Sequence, residues 1–441
     1  MNKKLLTSII SLFIFVETLF SQNVIAPKDS ILETASLETC IKYALIHKPI
    51  IQQSLLDQES IDLTIKSKLA DRYPQISLDY NYQHTFQLPT SFSNNTYFQS
   101  GTLNNSAAAF SVSQSIFNKD IFLAKQSANE VRNQSKQTVE NNKIQVIVNV
   151  SKSFYDVLLT QKQIEILNSD IIRLETSYMN AYNQYKDGIV DKIDYKRALI
   201  ALNNAKAQLK SEQELLKSKE AVLKNAMGYS TSNSFSLQFD TVKMQNELFI
   251  DTLQSVNYSN RIEYKQLETV KHLQEFNLQY TKWSYYPSVS AFGNYNFNFL
   301  NNDLAKLYGN NYPNSFAGLK LSLPLFQGNK RQYQTKAAEI AIKRVDWDLI
   351  QLRNSIITQY EQALSAYKSS LNDYLVLKEN LQLANEIYNT IQLQYKSGVK
   401  NYLEVITAET DLRNAQVNYT NAMYQVFATK VDVQLALGNI N

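Results

Sequence analysis

Tyr73-Pro-Gln-Ile-Ser77 returns as Tyr286-Pro-Ser-Val-Ser290, 213 positions further along the chain. Tyr185-Lys-Asp-Gly188 returns as Tyr395-Lys-Ser-Gly398 at an offset of 210, and Ala226-Met-Gly228 as Ala436-Leu-Gly438 at the same offset. Leu202-Asn-Asn-Ala205 matches Leu412-Arg-Asn-Ala415 at 210, and Ser115-Ile-Phe117 matches Pro324-Leu-Phe326 at 209. Repeats that stay in order while their offset drifts by a few residues describe one structural unit written twice, with small loop insertions.

Each copy predicts a helix, two strands, a long helix, a tight break and a shorter helix. In the first strand, about 74–87, Ile76, Leu78, Tyr80, Tyr82 and Phe86 share a face opposite Gln75, Ser77, Asp79, Asn81, Gln83 and Thr85. That is the period of two of a half-buried strand, with His84 the one polar residue on the apolar side. The counterpart, about 287–300, sets Val289, Ala291, Tyr295, Phe297 and Phe299 against Ser288, Ser290, Asn294, Asn296 and Asn298, with Phe292 out of pattern. The second strands fall at about 106–117 and 315–325, the latter with Leu319, Leu321, Leu323 and Leu325 on one face. Asn- and Ser-rich loops, 91–105 and 301–314, join each pair. Strands of about ten alternating residues, with one aromatic-rich face, are long enough to cross a bilayer at a tilt. Four strands cannot close a membrane barrel, and an open edge in lipid leaves backbone groups unpaired at several kcal/mol each. Strands that enter a membrane must therefore be shared between protomers.

Only 9 Gly and 7 Pro occur in 441 residues, too few to punctuate short elements. No Gly or Pro lies between Phe117 and Gly188, so roughly 67 helical residues can span about 100 Å. Leu167, Ile171, Leu174, Tyr178, Ala181 and Tyr185 alternate spacings of four and three, and Leu377, Leu381, Ala384, Tyr388, Ile391 and Tyr395 repeat the seam 210 residues on. Such heptads predict coiled-coil packing. The leading helix, about Leu37 to Ala70, and the returning helix, about Asp191 to Met227, together match the long one in length. Lys206, Lys210, Glu212, Glu214 and Lys217 read as solvated charges.

No stretch after residue 20 has the roughly eighteen apolar residues a membrane helix needs, which excludes a polytopic helical membrane protein. It does not exclude a β-barrel, whose alternating strands barely move the mean hydropathy of −0.32. Met1 to Ser21 has the basic start and interrupted apolar run of a secretory signal peptide, with Ala26 a weaker cleavage point than Ser21. A balance of 44 basic to 40 acidic residues gives no reason to expect nucleic acid. The single Cys40, read as a small half-buried helix residue, and the scattered His47, His84 and His272 form no metal or nucleophile pattern. No catalytic residue, metal or cofactor is expected, and the chain reads as a non-enzyme.

Together these features resemble the TolC-type outer membrane efflux protein family. Ala35-Ser-Leu-Glu-Thr-Cys-Ile-Lys-Tyr-Ala-Leu-Ile-His-Lys-Pro49 is similar to the family's first helix, and Asn260-Arg-Ile-Glu263 to its second-repeat partner, with Ile262 where Pro is usual. Gln184-Tyr-Lys-Asp-Gly188 and Gln394-Tyr-Lys-Ser-Gly398 look like the two hairpin tips, at Gly188 and Gly398. The resemblance implies a mostly α homotrimer with a small membrane β portion. Four strands per protomer would form a shared twelve-stranded β-barrel in the outer membrane of a Gram-negative-type bacterium, standing on a long periplasmic α-helical barrel. It implies a passive exit duct of a tripartite efflux or type I secretion system, in outer membrane lipid, partnered by a periplasmic adaptor protein and an inner-membrane pump. The organisation expected is a signal peptide at 1–21, a first repeat at 22–230, a linker at 231–256 and a second repeat at 257–441. Tyr80, Tyr82, Phe86, Tyr295, Phe297, Leu321 and Leu323 would face the membrane. Matched onto the family's periplasmic gate, Tyr395 and Lys400 would bind the carboxylate of Asp194. Glu404 would form an acidic pore ring, and Thr407 stands uncharged where a second ring is usual. Lys400 replaces what is often Arg and gives up bidentate pairing. The competing reading is a periplasmic coiled-coil adaptor or scaffold without a pore, which gives no reason for aromatic-faced strands in both repeats. A nutrient porin is disfavoured because helices outweigh strands.

Overall fold

A computed structural model describes residues 34–93, 95–233, 235–238 and 247–440. The signal peptide expected at 1–21 and residues 239–246 of the linker lie outside the described residues. The elements in chain order are β1 (Thr34–Ala35), α1 (Leu37–His47), α2 (Pro49–Ala70), β2 (Gln75–His84), β3 (Thr90–Ser93), β4 (Thr96–Gln99), β5 (Asn104–Phe117), α3 (Lys119–Lys186) and α4 (Lys192–Met227). They continue with β6 (Ser236–Leu237), α5 (Ile262–Trp283), β7 (Ser288–Asn301), β8 (Asn314–Ser322), α6 (Lys330–Lys396) and α7 (Tyr402–Leu437). The long helices have 68 and 67 residues, and each returning helix has 36.

The leading helix is not continuous. It starts on a capping box, in which Ser36 and Thr39 satisfy each other's backbone N–H groups. It stops at Lys48, which is extended at φ −65°, ψ 122°, because the ring of Pro49 disfavours helical geometry in the residue before it. Pro49 then opens α2 at its first position, where its missing N–H costs nothing.

That break has a packing partner. Gly228 ends α4 in the left-handed region at φ 72°, and a Cβ there would stand 2.9 Å from the His47 carbonyl oxygen. Gly438 ends α7 at φ 73°, with Asn260 backbone 3.2 Å from the corresponding Cβ position. The C-terminus of each returning helix thus rests on the backbone just before the leading helix of one repeat, α2 or α5. The main core collects at this level. Cys40 and Ala44 of α1, Val150, Val157 and Leu158 of α3, Leu223 and Met227 of α4, Tyr367 of α6 and Phe427 of α7 are all buried in one cluster. Cys40 is fully buried rather than half-buried, and burial pushes its thiol up to about 12. Tyr367 donates to the Leu248 carbonyl at 2.8 Å and accepts from Ile250 N–H at 3.1 Å, fastening the inter-repeat segment to α6. Further down, Ile171 and Leu174 of α3 meet Leu202 and Ala205 of α4, and Tyr388 of α6 meets Ala408 and Leu412 of α7.

The strands form one antiparallel sheet in the order β2-β5-β7-β8. Its register lines up Leu78, Phe110 and Tyr295, then Tyr80, Ala108 and Phe297, then Tyr82, Ser106 and Phe299. Leu321 pairs with Val289 on the same face. The opposite face carries Ser77, Ser111, Asn294 and Phe316 in one row and Asp79, Ala109, Asn296 and Asn314 in another, Phe316 being an aromatic on the otherwise polar side. β2 ends at His84 and β8 at Ser322, so Phe86 and Leu323, expected on the strands, lie just beyond them. His84 tolerates the apolar face because its Nδ1 lies 2.7 Å from Asn104 Oδ1, which also accepts from the Tyr82 hydroxyl at 2.8 Å. Phe292 breaks the pattern because its ring covers Gly318 across the strand pair. The loop expected at 91–105 contains the hairpin β3–β4, and the one at 301–314 contains a 3-10 turn at Leu304–Gly309. No helix among the described residues is long and apolar enough to cross a membrane.

Gly228 and Gly438 combine a left-handed backbone with close packing against another segment's backbone. Gly228→Ala adds a backbone clash to the left-handed penalty of about 1–2 kcal/mol, whereas Gly188→Ala, with nothing within 4 Å, meets only the penalty. Thermal unfolding should show Gly228→Ala destabilised well beyond Gly188→Ala; equal losses would contradict the close packing.

Candidate functional site: the two hairpin ends

Helices α3 and α4 form one hairpin and α6 and α7 the other, and the two turns are built alike. Gly188 N–H donates to the Tyr185 carbonyl and Ile189 N–H to that of Gln184; Gly398 and Val399 repeat the pattern on Tyr395 and Gln394. Both glycines have φ 77°. Asp191 caps α4 by accepting from Ile193 N–H, and Asn401 caps α7 by accepting from Glu404 N–H.

Asp194 and Glu404, selected from the sequence for a gate and a pore ring, both occupy the third position of a returning helix. A carboxylate there faces the positive end of the helix dipole, worth about 0.3–1 kcal/mol at an exposed site. This placement gives each a local reason to be acidic besides any role in a lumen.

The structure brings the sequence-selected gate residues together only in part. The Tyr395 hydroxyl donates to Gln184 Oε1 of the first hairpin at 2.8 Å. It was expected on Asp194, which acts on it through its charge. Burial chiefly raises the Tyr395 phenol, the Gln184 bond opposes that, and Asp194 adds a smaller upward push. Lys400 Nζ, in the turn just before the α7 cap, pairs with Glu404 Oε2 in the first turn of α7 at 2.6 Å, rather than with Asp194. The pair joins residues only four apart in sequence, so it is made within the protomer. Thr407 directs its hydroxyl to the Leu403 carbonyl at 2.9 Å. Tyr402, which the sequence reading passed over, is buried with Ala181 and Ala198 of the first hairpin, and Tyr395 and Ile406 pack against them.

A second link between the hairpins was also missed. Asp170 and Arg173 of α3 meet Glu409 and Arg413 of α7 in a buried charge cluster. Arg173 Nη2 binds Asp170 Oδ1 at 3.0 Å; its Nε is 3.6 Å from Glu409 Oε1, and Arg413 Nη1 is 3.6 Å from Asp170 Oδ2. The available signal was opposite charge at i,i+3 in Asp170–Arg173 and at i,i+4 in Glu409–Arg413, which puts each pair on one helix face.

This architecture, a four-stranded sheet continued by paired helical hairpins, is shared with known proteins. The sequence profile described as outer membrane efflux protein matches residues 40–229 and 277–439. The chain belongs to the outer membrane efflux protein family. Its place is the outer membrane. Outer membrane protein TolC of Escherichia coli (strain K12) is 18% identical over 425 residues, covering 93% of this chain and 84% of the relative. The crystal structure of the outer membrane protein VceC of Vibrio cholerae superimposes with a TM-score of 0.72 at 14% identity, covering 91% of this chain and 96% of that one. The Campylobacter jejuni CmeC outer membrane channel gives a TM-score of 0.73 at 16% identity, over 91% and 85%.

The observed bond between hairpins can be apportioned by a double-mutant cycle. Tyr395→Phe and Gln184→Ala should show a coupling of about 0.5–1.5 kcal/mol in unfolding free energy. A larger coupling of Tyr395→Phe with Asp194→Ala would contradict the geometry.

Proposed function

We propose that the protein is the exit duct of a tripartite efflux or type I secretion system, working as a homotrimer without cofactor or catalysis. Three copies of β2-β5-β7-β8 would close a twelve-stranded barrel, with Tyr80, Tyr82, Tyr295, Phe297 and Leu321 toward lipid and the Asn- and Ser-rich face toward a wet lumen. Phe86 and Leu323 would sit at the borders of the apolar band. The hairpins would descend into the periplasm to meet an adaptor protein, which couples the duct to an inner-membrane pump. The observation that carries this reading is the sheet register, which gathers an apolar face opposite one that is mostly polar, Phe292 and Phe316 excepted, across four strands that continue into helices of 68 and 67 residues. Membership of the efflux family supports it. A scaffold without a pore gains nothing from such a sheet.

The hairpin ends would form the gate. Tyr395 on Gln184 ties the second hairpin to the first inside a protomer. Lys400 and Asp194, apart within the chain, would meet between neighbouring copies, and Glu404 would line the constriction one turn below the uncharged Thr407. Hydrogen bonds of about 0.5–1.5 kcal/mol, repeated by three-fold symmetry, suit a closure that a docked adaptor can release.

Planar-bilayer recording of the reconstituted protein tests the reading. Channels of small, cation-selective conductance are expected. Tyr395→Phe with Asp194→Ala should raise the conductance, and Glu404→Gln should reduce cation selectivity. Reconstituted protein with no conductance would favour the scaffold instead.

A further inference from the structure

In the charge cluster between α3 and α7, Asp170 lies about 25 Å along α3 from its end at Lys186, and Glu409 about 10 Å along α7 from its start at Tyr402. Asp170 and Glu409 are almost completely buried. Neither Glu409 oxygen has a hydrogen bond, nor does Asp170 Oδ2, and the 3.6 Å separations to Arg173 and Arg413 exceed hydrogen-bond length. A cavity of about 250 Å³ opens beside them, lined by Asp170, Glu409 and Arg413 and by Arg197 of α4. Two buried carboxylates therefore share one cluster with arginine donors that stop short of hydrogen-bond reach of Glu409 and of Asp170 Oδ2, Arg173 Nε itself being unpaired, across the contact that joins one hairpin to the other. A buried charge left without hydrogen bonds is costly, and a proton is the simplest means of removing it.

We propose that this cluster is a proton-operated clasp between the hairpins: α7 stays packed on α3 while Glu409 carries a proton, and ionisation of Glu409 loosens the contact. The groups facing Glu409 are Asp170 and Arg173 from α3, Arg197 from α4, Tyr388 from α6, and Tyr402 and Arg413 from its own helix. The arginines stay charged throughout the accessible range. Tyr388 and Tyr402 are raised further, chiefly by burial. Burial first, and the Asp170 charge second, push Glu409 from an ordinary 4.5 up to about 7, against the pull of the two arginines. An acid with a higher pKa packed than solvated binds its proton more tightly when packed. Packing is therefore favoured at low pH and weakens as pH rises from about 4.5 to about 7, levelling off above.

The consequence for conduction rests on the duct reading: the second hairpin would be freer to move outward in neutral than in acidic surroundings. The clasp itself does not depend on that reading. Hydrogen–deuterium exchange of residues 165–178 and 402–416, measured on the detergent-purified full chain and corrected for intrinsic exchange rates, tests it. Wild type should open about tenfold more at pH 8 than at pH 6. Glu409→Gln, a mimic of the protonated form, should hold the low-pH protection at both values. Asp170→Asn should move the transition to lower pH, because it removes the charge that helps raise Glu409. A Glu409→Gln chain with the wild-type pH dependence, or a wild type without any, would overturn the clasp. Planar-bilayer recording of the same samples keeps the readings separable: an exchange response without conductance retains the clasp and removes the duct.

Discussion

The two outer edges of the sheet dominate the structure. β2 and β8 each pair on one side only among the described residues, leaving a row of N–H and C=O groups open. In water such edges would be a hazard for association, and in hydrocarbon each unpaired group costs several kcal/mol. The apolar face suits the sheet to lipid, but the two open edges make a lone protomer unsuited to it. In the proposed trimer, β8 of one copy pairs with β2 of the next. Everything below the sheet follows its spacing, because β5 and β8 hand the chain to α3 and α6, and the hairpins inherit the positions the strands give them.

Duplication makes this economical. One helix–sheet–hairpin plan serves both halves, and the points where the halves must fit are built in parallel. Gly228 closes on the backbone at His47 and Lys48, and Gly438 on the backbone at Asn260. The hairpins then diverge in chemistry while keeping their frame. Asp194 and Glu404 occupy the same position of their returning helices, yet Glu404 is paired with Lys400 in its own chain. The links between hairpins, Tyr395 on Gln184 and the Asp170–Arg173–Glu409–Arg413 cluster, are weak or strained singly and lie at two levels along the same contact. That suits an interface that holds at rest and yields to a partner or a change in protonation.

Much of the frame was legible in the sequence because it is written in periodicity and punctuation. Strand alternation located the four long strands to within a few residues, and the absence of Gly and Pro located α3. What escaped was tertiary. Pro49 was in view, but only its effect on Lys48, with Gly228 packed against it, turns a proline into a break. Phe292 looked out of register until Gly318 appeared beneath it. The gate residues drawn from family resemblance were placed at the hairpin ends, but their hydrogen bonds depend on rotamers and neighbours that spacing does not encode. Charges on long helices read as solvated faces, and only the meeting of α3 with α7 shows that Asp170 and Glu409 are not.

In the proposed trimer the sheet is completed by other copies of the same chain in the outer membrane. The most direct test of that completion is to express the full chain, extract outer membranes with mild detergent and measure the protein mass of the purified particle by light scattering. Three chains per particle, stable in detergent and recovered from the outer membrane fraction, is the predicted result. A soluble periplasmic monomer would contradict the account.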